Sequence, residues 1–375
     1  MDGKMARTSI RDLMRPNLRH LAGYTPVVPV ERLVAEGCDS SAVTRPPVKL
    51  DANENPYGPS PHVLKAIARS EALHAYPDAE QRTLRAALAE YVGLASENII
   101  VGNGSDEVLD MIIRLLLEPG DRVLSCIPTF GMYKFLTDVA GGRLIELDRT
   151  PDYGIDLDAV KAATDAKTKI VFLASPNNPT GNSVPREQVV DLLETGLFVV
   201  IDEAYFEFAG HTVAGLVNDY ENLMVARTFS KWAGLAGVRI GYAIVSPQVG
   251  AYLNQIKQPY NISVFAQIAA LESLKDREYL MGNVRALVDE RARLFDILQG
   301  VDYLSPVPSE GNYVLCNVTR GDGEQVFNLL KQRNIFVRYY DRPNLKNCFR
   351  ISVGRPEDTD RLADALAEIG LELHG

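Results

Sequence analysis

Lys231 and Arg239 stand in TFSKWAGLAGVRIGY (228–242), a stretch of small and apolar residues where a lysine has few charged neighbours. Two readings are open. Lys231 can snorkel from a half-buried segment while Arg239 makes an ordinary ion pair. Alternatively the amine is desolvated, its pKa falls, and it becomes a nucleophile toward a carbonyl. The choice turns on partners elsewhere in the chain. Asp202 closes the apolar run LFVVID, where a carboxylate is costly unless it meets a positive or proton-bearing group, and Tyr205 follows in IDEAYFEF. GNGSDEVLD places Ser105 and Asp106 at a helix start behind two glycines, where free N–H groups can hold an anion. Either residue could equally be a plain N-cap, and the third glycine of a dinucleotide fingerprint is missing. IPTFGMY sets Phe130 at the head of another helix, as a core aromatic or as a plate for a ring. SPNNPTGN holds the Asn178 amide in a turn punctuated by Pro and Gly.

Together these residues form a phosphate cradle, an aromatic plate, an amide, a carboxylate, a phenol, an amine and a guanidinium. Pyridoxal 5'-phosphate asks for that set. Its aldehyde takes a lysine, its ring nitrogen stays protonated beside a buried aspartate, its phosphate takes helix N–H groups and an arginine, and its ring takes a stacking face.

The elements that must position them are legible as texture. NIIV, DRVLSC, GRLIEL, KIVFLA, LFVVID, NLMVAR and GYAIV are short runs apolar on both faces, separated by amphipathic stretches such as DEVLDMIIRLLLE. That pattern predicts an α/β domain with a mainly parallel sheet flanked by helices, whose ligands sit at the carboxyl ends of the strands. After about residue 262 the texture changes to long helical periodicity (ALVDERARLFDILQG), then NYVLCNV, IFVRYY and CFRISVG and a closing helix PEDTDRLADALAEIG. We expect an N-terminal arm with part of a small domain over 1–50, a large cofactor-binding domain over 51–261, and a smaller α+β domain over 262–375. The Pro-rich arm TPVVPVERL and RPPVKLDANENPYGPSP reads as extended chain crossing between domains or subunits.

A formal net charge of −10 over 375 residues argues against a nucleic-acid surface. No apolar stretch approaches a membrane span, and the basic N-terminus lacks the apolar run of a secretory signal. Cys38, Cys126, Cys316 and Cys348 are scattered, and His20, His62, His74, His211 and His374 show no ligand spacing, so neither a disulfide framework nor a metal site is expected. A cytoplasmic enzyme of small molecules is the resulting expectation.

LDANENPYG, AYP, GNGSDE, PTFGMY, SPNNPTG, DEAYFEF, TFSKWAGLAGVRIGY, EGNYVLCN and FRISVG follow one another in an order that resembles fold-type I pyridoxal-phosphate aminotransferases, the aspartate-aminotransferase-like group. Within them the chain is most similar to the histidinol-phosphate aminotransferase family. The resemblance makes Lys231 the Schiff-base lysine, Asp202 the partner of the pyridine nitrogen, and Asn178 and Tyr205 the partners of the ring oxygen. Phe130 matches the stacking aromatic, and Ser105, Asp106, Ser230 and Arg239 match the phosphate ligands. Tyr76 in HAYPD matches a tyrosine that reaches the cofactor of the neighbouring subunit, which implies a homodimer with shared sites. Arg350 matches the arginine that takes a substrate carboxylate. Tyr24, Asn53 and Arg338 join it in the substrate site, although Arg338 in isolation also reads as an edge-strand charge. The implied reaction is histidinol phosphate with 2-oxoglutarate giving imidazole-acetol phosphate and glutamate. An aromatic or other amino-acid aminotransferase, or a decarboxylase of a phosphorylated amino acid, is the alternative within this fold. A cofactor-binding regulatory module and a nicotinamide dehydrogenase are the alternatives outside it.

Overall fold

A computed structural model describes residues 9–24, 26, 29, 32, 46–71 and 74–374. Most of the arm TPVVPVERL, and Cys38, lie outside them.

Seven strands form the larger sheet: β2 (Ile99–Gly102), β3 (Arg122–Ile127), β4 (Arg143–Asp148), β5 (Thr168–Ala174), β6 (Phe198–Asp202), β7 (Leu223–Thr228) and β8 (Gly241–Val245). Each corresponds to one of the apolar runs. Their order is β2-β8-β7-β6-β5-β3-β4. β3 pairs in parallel with β4 and β5, as do β5 with β6 and β6 with β7, while β8 runs antiparallel to both β2 and β7. Every residue of β7 and β8 is buried, as strands covered on both faces must be, whereas β4 at the edge exposes Arg143, Glu146 and Asp148. Ser105–Leu116 packs Val108, Leu109, Met111, Ile112 and Ile113 against the sheet, the helical stripe seen in DEVLDMIIRLLLE.

The second sheet has the order β1-β11-β12-β10-β9. Its strands are β1 (Val48–Leu50), β9 (Leu304–Pro306), β10 (Tyr313–Val318), β11 (Ile335–Tyr339) and β12 (Cys348–Ser352). The Pro-rich arm thus contributes one short edge strand, β1, parallel to β11, where a missing N–H is tolerated. The long helix Arg277–Gln299 buries Leu280, Val284, Leu287, Leu294 and Leu298 along one stripe. Cys126, Cys316 and Cys348 are free and buried. Among the described residues no helix is long and apolar enough to cross a membrane.

Candidate active site

A cavity of about 220 Å³ opens at the carboxyl ends of β5, β6 and β7. Its wall includes Tyr24, Asn53, Ser105, Asp106, Phe130, Asn178, Asp202, Tyr205, Ser230, Lys231, Arg239 and Arg350. Of the residues singled out in the sequence, only Arg338 and Tyr76 lie outside this wall. Arg338 lines an adjoining cavity of about 810 Å³, which shares Tyr24, Phe130, Asn178 and Arg350 with the first. Tyr76 is 82% exposed and stacks on Tyr260, ring centroids 4.6 Å apart.

Lys231 is held by the loop joining β7 to β8. Phe229 and Trp232 are fully buried on either side of it, and the loop closes on itself through Phe229 N to Ile240 O (3.1 Å). The half-buried side chain thereby enters the cavity, where Nζ donates to the Ala52 carbonyl at 3.0 Å. Loss of water, with Arg350 as a further positive neighbour, lowers its pKa to about 8. The apolar setting of Lys231 is the packing of its two aromatic neighbours, and its consequence is an amine that gives up its proton more readily than a surface lysine.

Asp202 ends β6 at 5% exposure. It accepts from Tyr133 Oη (2.9 Å) and Ala204 N (3.1 Å), yet burial still raises its pKa to about 6. Two hydrogen bonds fall short of replacing its hydration. Tyr205, pushed up to about 12 by burial, accepts at Oη from Asn53 Nδ2 (3.0 Å). Asn53 has φ 52°, and Ser352 and Asn312 fasten it at its N–H, side-chain oxygen and carbonyl.

Three consecutive residues of this segment each fasten a different site group. Asp51 O accepts from Arg350 Nη2 (2.5 Å), Ala52 O from Lys231, and Asn53 donates to Tyr205. Arg350 also donates to Asn178 Oδ1 at 2.6 Å, while its buried Nε has no partner.

At the start of Ser105–Leu116 the residue before the helix is Gly104, φ +80°, which supplies no side-chain cap. A Cβ at Gly104 would come within 2.6 Å of Arg239 Nη2, and one at Gly241 would collide with the Ser105 backbone nitrogen. Those absent side chains leave open N–H groups flanked by Ser230, Thr228 and a guanidinium, a donor set suited to a phosphate. The Asp106 carboxylate is turned to Arg239, 3.0 Å away, so this residue can offer the anion only its N–H. Phe130 meets Tyr24 and Tyr133 edge-on, at 6.4 and 5.7 Å between centroids, leaving a ring face for the cavity. The donor set, the carboxyl on β6 and the amine opposite suit pyridoxal phosphate.

Tyr133 is the residue that motif reading passed over. It lies three residues beyond Phe130 in PTFGMY, just inside the helix that Phe130 precedes, and that spacing was the available signal. The backbone carbonyls of Asp51 and Ala52 carry no signal in residue type at all.

Comparison with known proteins follows the same line. The family model for aminotransferase class I and II matches residues 45–366. The histidinol-phosphate aminotransferase of Roseiflexus castenholzii is 46% identical, with 96% of this chain and 99% of that protein aligned. That of Dehalococcoides mccartyi is 46% identical over 86% of this chain and 90% of its own length. Among solved structures, histidinol-phosphate aminotransferase from Sinorhizobium meliloti in complex with pyridoxal-5'-phosphate is 31% identical, with a TM-score of 0.85 over 96% of this chain and 98% of that one.

Proposed function

The chain belongs to the class I and II aminotransferases, and within them to the histidinol-phosphate aminotransferase family, and from that premise we propose that it exchanges the amino group between histidinol phosphate and 2-oxoglutarate with bound pyridoxal phosphate. The observation that carries the substrate side is a pair of arginines. Arg338 and Arg350 are register partners across β11 and β12, and both line the outer cavity, which brings two guanidiniums to one wall of it. Arg350 is 5% exposed, and among the described residues no carboxylate pairs with it. An α-carboxylate of glutamate and the phosphate of histidinol phosphate are the anions that answer this charge in turn.

Pyridoxal phosphate, when bound, supplies an aldehyde to receive the amino group and a ring that withdraws electrons from the reacting carbon. The N–H groups of Ser105 and Asp106, the hydroxyl of Ser230 and the Arg239 guanidinium hold its phosphate. Asp202 Oδ keeps a proton on the ring nitrogen, and Tyr133 orients that carboxyl. Tyr205 Oη and the Asn178 amide meet the ring oxygen, with Asn53 fixing Tyr205. Lys231 Nζ takes the proton from the donor's Cα and gives it up again on the same face to complete the amino transfer, a task matched to a pKa near 8. Tyr24 and Phe130 wall the reacting atoms from water.

The active form in this reading is a cytoplasmic homodimer, a reading supported by Tyr76 being exposed and outside its own chain's cavity. The division into an arm with part of a small domain, a large domain and a small domain belongs to the same proposal. The test is a coupled glutamate assay comparing histidinol phosphate with phenylalanine as donor to 2-oxoglutarate. A higher kcat/KM for histidinol phosphate supports the reading, and preference for phenylalanine shifts it to an aromatic aminotransferase.

A further inference from the structure

We propose that Arg342, on the loop between β11 and β12, is a specificity-determining residue that meets the phosphate of the substrate at the mouth of the site. The inference rests on the proposed use of a phosphorylated substrate and adds a residue to it. Arg342 lines the outer cavity together with Tyr24, Phe130, Arg338 and Arg350. Its place there is defined by Gly131: a Cβ on that glycine would lie 3.5 Å from Arg342 Nη2 and 3.4 Å from the Tyr24 ring. The guanidinium and the phenol thus converge on bare backbone next to the aromatic plate Phe130.

The loop that presents Arg342 is tied down. Pro343 follows it and keeps it extended, at φ −141° and ψ 144°. Its carbonyl accepts from Leu345 N (3.0 Å), Leu345 is buried, and Asn344 bonds Asp148 on β4 at 3.0 Å. A long cationic side chain on a fixed base loses less entropy on meeting a ligand than one on a free loop. Among the described residues its guanidinium has no hydrogen bond or ion pair, although Asp341 is adjacent in sequence.

Charge separates the possible roles. The chain carries a formal net charge of −10, so a dianionic phosphate approaches against the overall field. Arg350 deep in the site answers one negative charge, and the second charge of a phosphate gains from cations nearer the opening. An unpaired arginine at the rim adjusts both approach and retention of that group.

The experiment uses the holoenzyme and Arg342→Gln, with Arg342→Lys as the conservative variant. KM for histidinol phosphate should rise about 10-fold in Arg342→Gln, a charge-assisted contact being worth roughly that factor. The loss should be several-fold larger for histidinol phosphate than for phenylalanine, should fall on KM rather than kcat, and should be partly restored by lysine. The salt dependence of kcat/KM should flatten in Arg342→Gln. Equal losses for both donors, or an unchanged KM, overturn the proposal. Inorganic phosphate as an inhibitor of the glutamate half-reaction separates the two layers. If the wild type ignores histidinol phosphate but loses phosphate inhibition on Arg342→Gln, the substrate reading falls and the Arg342 assignment stands.

Discussion

Asp202→Asn should stabilise the cofactor-free protein while crippling the enzyme. Burial raises the Asp202 carboxyl from the ordinary 3.8 to about 6. At about 1.4 kcal/mol per pH unit, that gap makes the ionised carboxylate cost the empty fold up to about 3 kcal/mol. The sign follows from proton counting. Between pH 3.8 and about 6 the folded chain holds a proton that the unfolded chain has released, so the free energy of unfolding falls as pH rises through that window and is level above it. Asparagine removes the charge and keeps its partners satisfied, because the Tyr133 hydroxyl can turn to accept from the new amide while Ala204 N still donates to the remaining oxygen. Urea unfolding of both apoproteins from pH 4 to pH 8 is the assay. The advantage of Asp202→Asn should grow up to about pH 6 and then stay constant. Adding pyridoxal phosphate should reverse the order, since the charged ring nitrogen repays the carboxylate alone. A mutant apoprotein less stable than wild type at pH 7, or a difference that does not change with pH, would refute the desolvation argument.

Lys231→Ala should abolish transamination, and borohydride reduction of the wild-type holoenzyme should place the cofactor label on Lys231 and on no other lysine. Capture of pyridoxal phosphate by the apoprotein should speed up as pH rises through about 8, the pKa of Lys231, and be flat above it in stopped-flow absorbance. Tyr133→Phe removes one donor to Asp202 and should lower kcat roughly 10-fold, by about one hydrogen bond to a charged group, with little change in cofactor affinity. Arg338→Ala should cost roughly 2–5 kcal/mol in kcat/KM for histidinol phosphate and much less for phenylalanine.

All seven strands of the large sheet were legible as short, mainly apolar runs, because the inner strands are covered on both faces and even the edge strand β4 keeps Leu144, Ile145 and Leu147 at least half-buried. The reversal of β8 was not: a run such as GYAIV looks the same whichever way it points, and only its pairing with β2 and β7 assigns direction. Residues that line the cavity were legible where the proposed chemistry demands a particular side chain, as at Lys231, Asp202 and Arg350. They were invisible where it demands only a backbone atom, as at Ala52 O, or where a residue doubles as core, as Tyr133 does by stacking on Phe172. Arg342 belongs to a third kind, a charge on an exposed loop whose surroundings come from Tyr24 and Gly131, far away in sequence.

The run Asp51–Asn53 also sets when the site can exist. Asn53 bonds a tyrosine 152 positions away and a serine 299 positions away, and Arg350 reaches back across the same 299 positions to Asp51. Contacts of such separation carry a loop-closure cost that local contacts do not, and they require both ends of the chain to be present. Both sheets must therefore be in place before Lys231, Tyr205 and Arg350 acquire their anchors. In refolding, competence to take up the cofactor should trail the recovery of helix and strand, and a chain still emerging from the ribosome, lacking residue 350, has most of the phosphate cradle but no finished site.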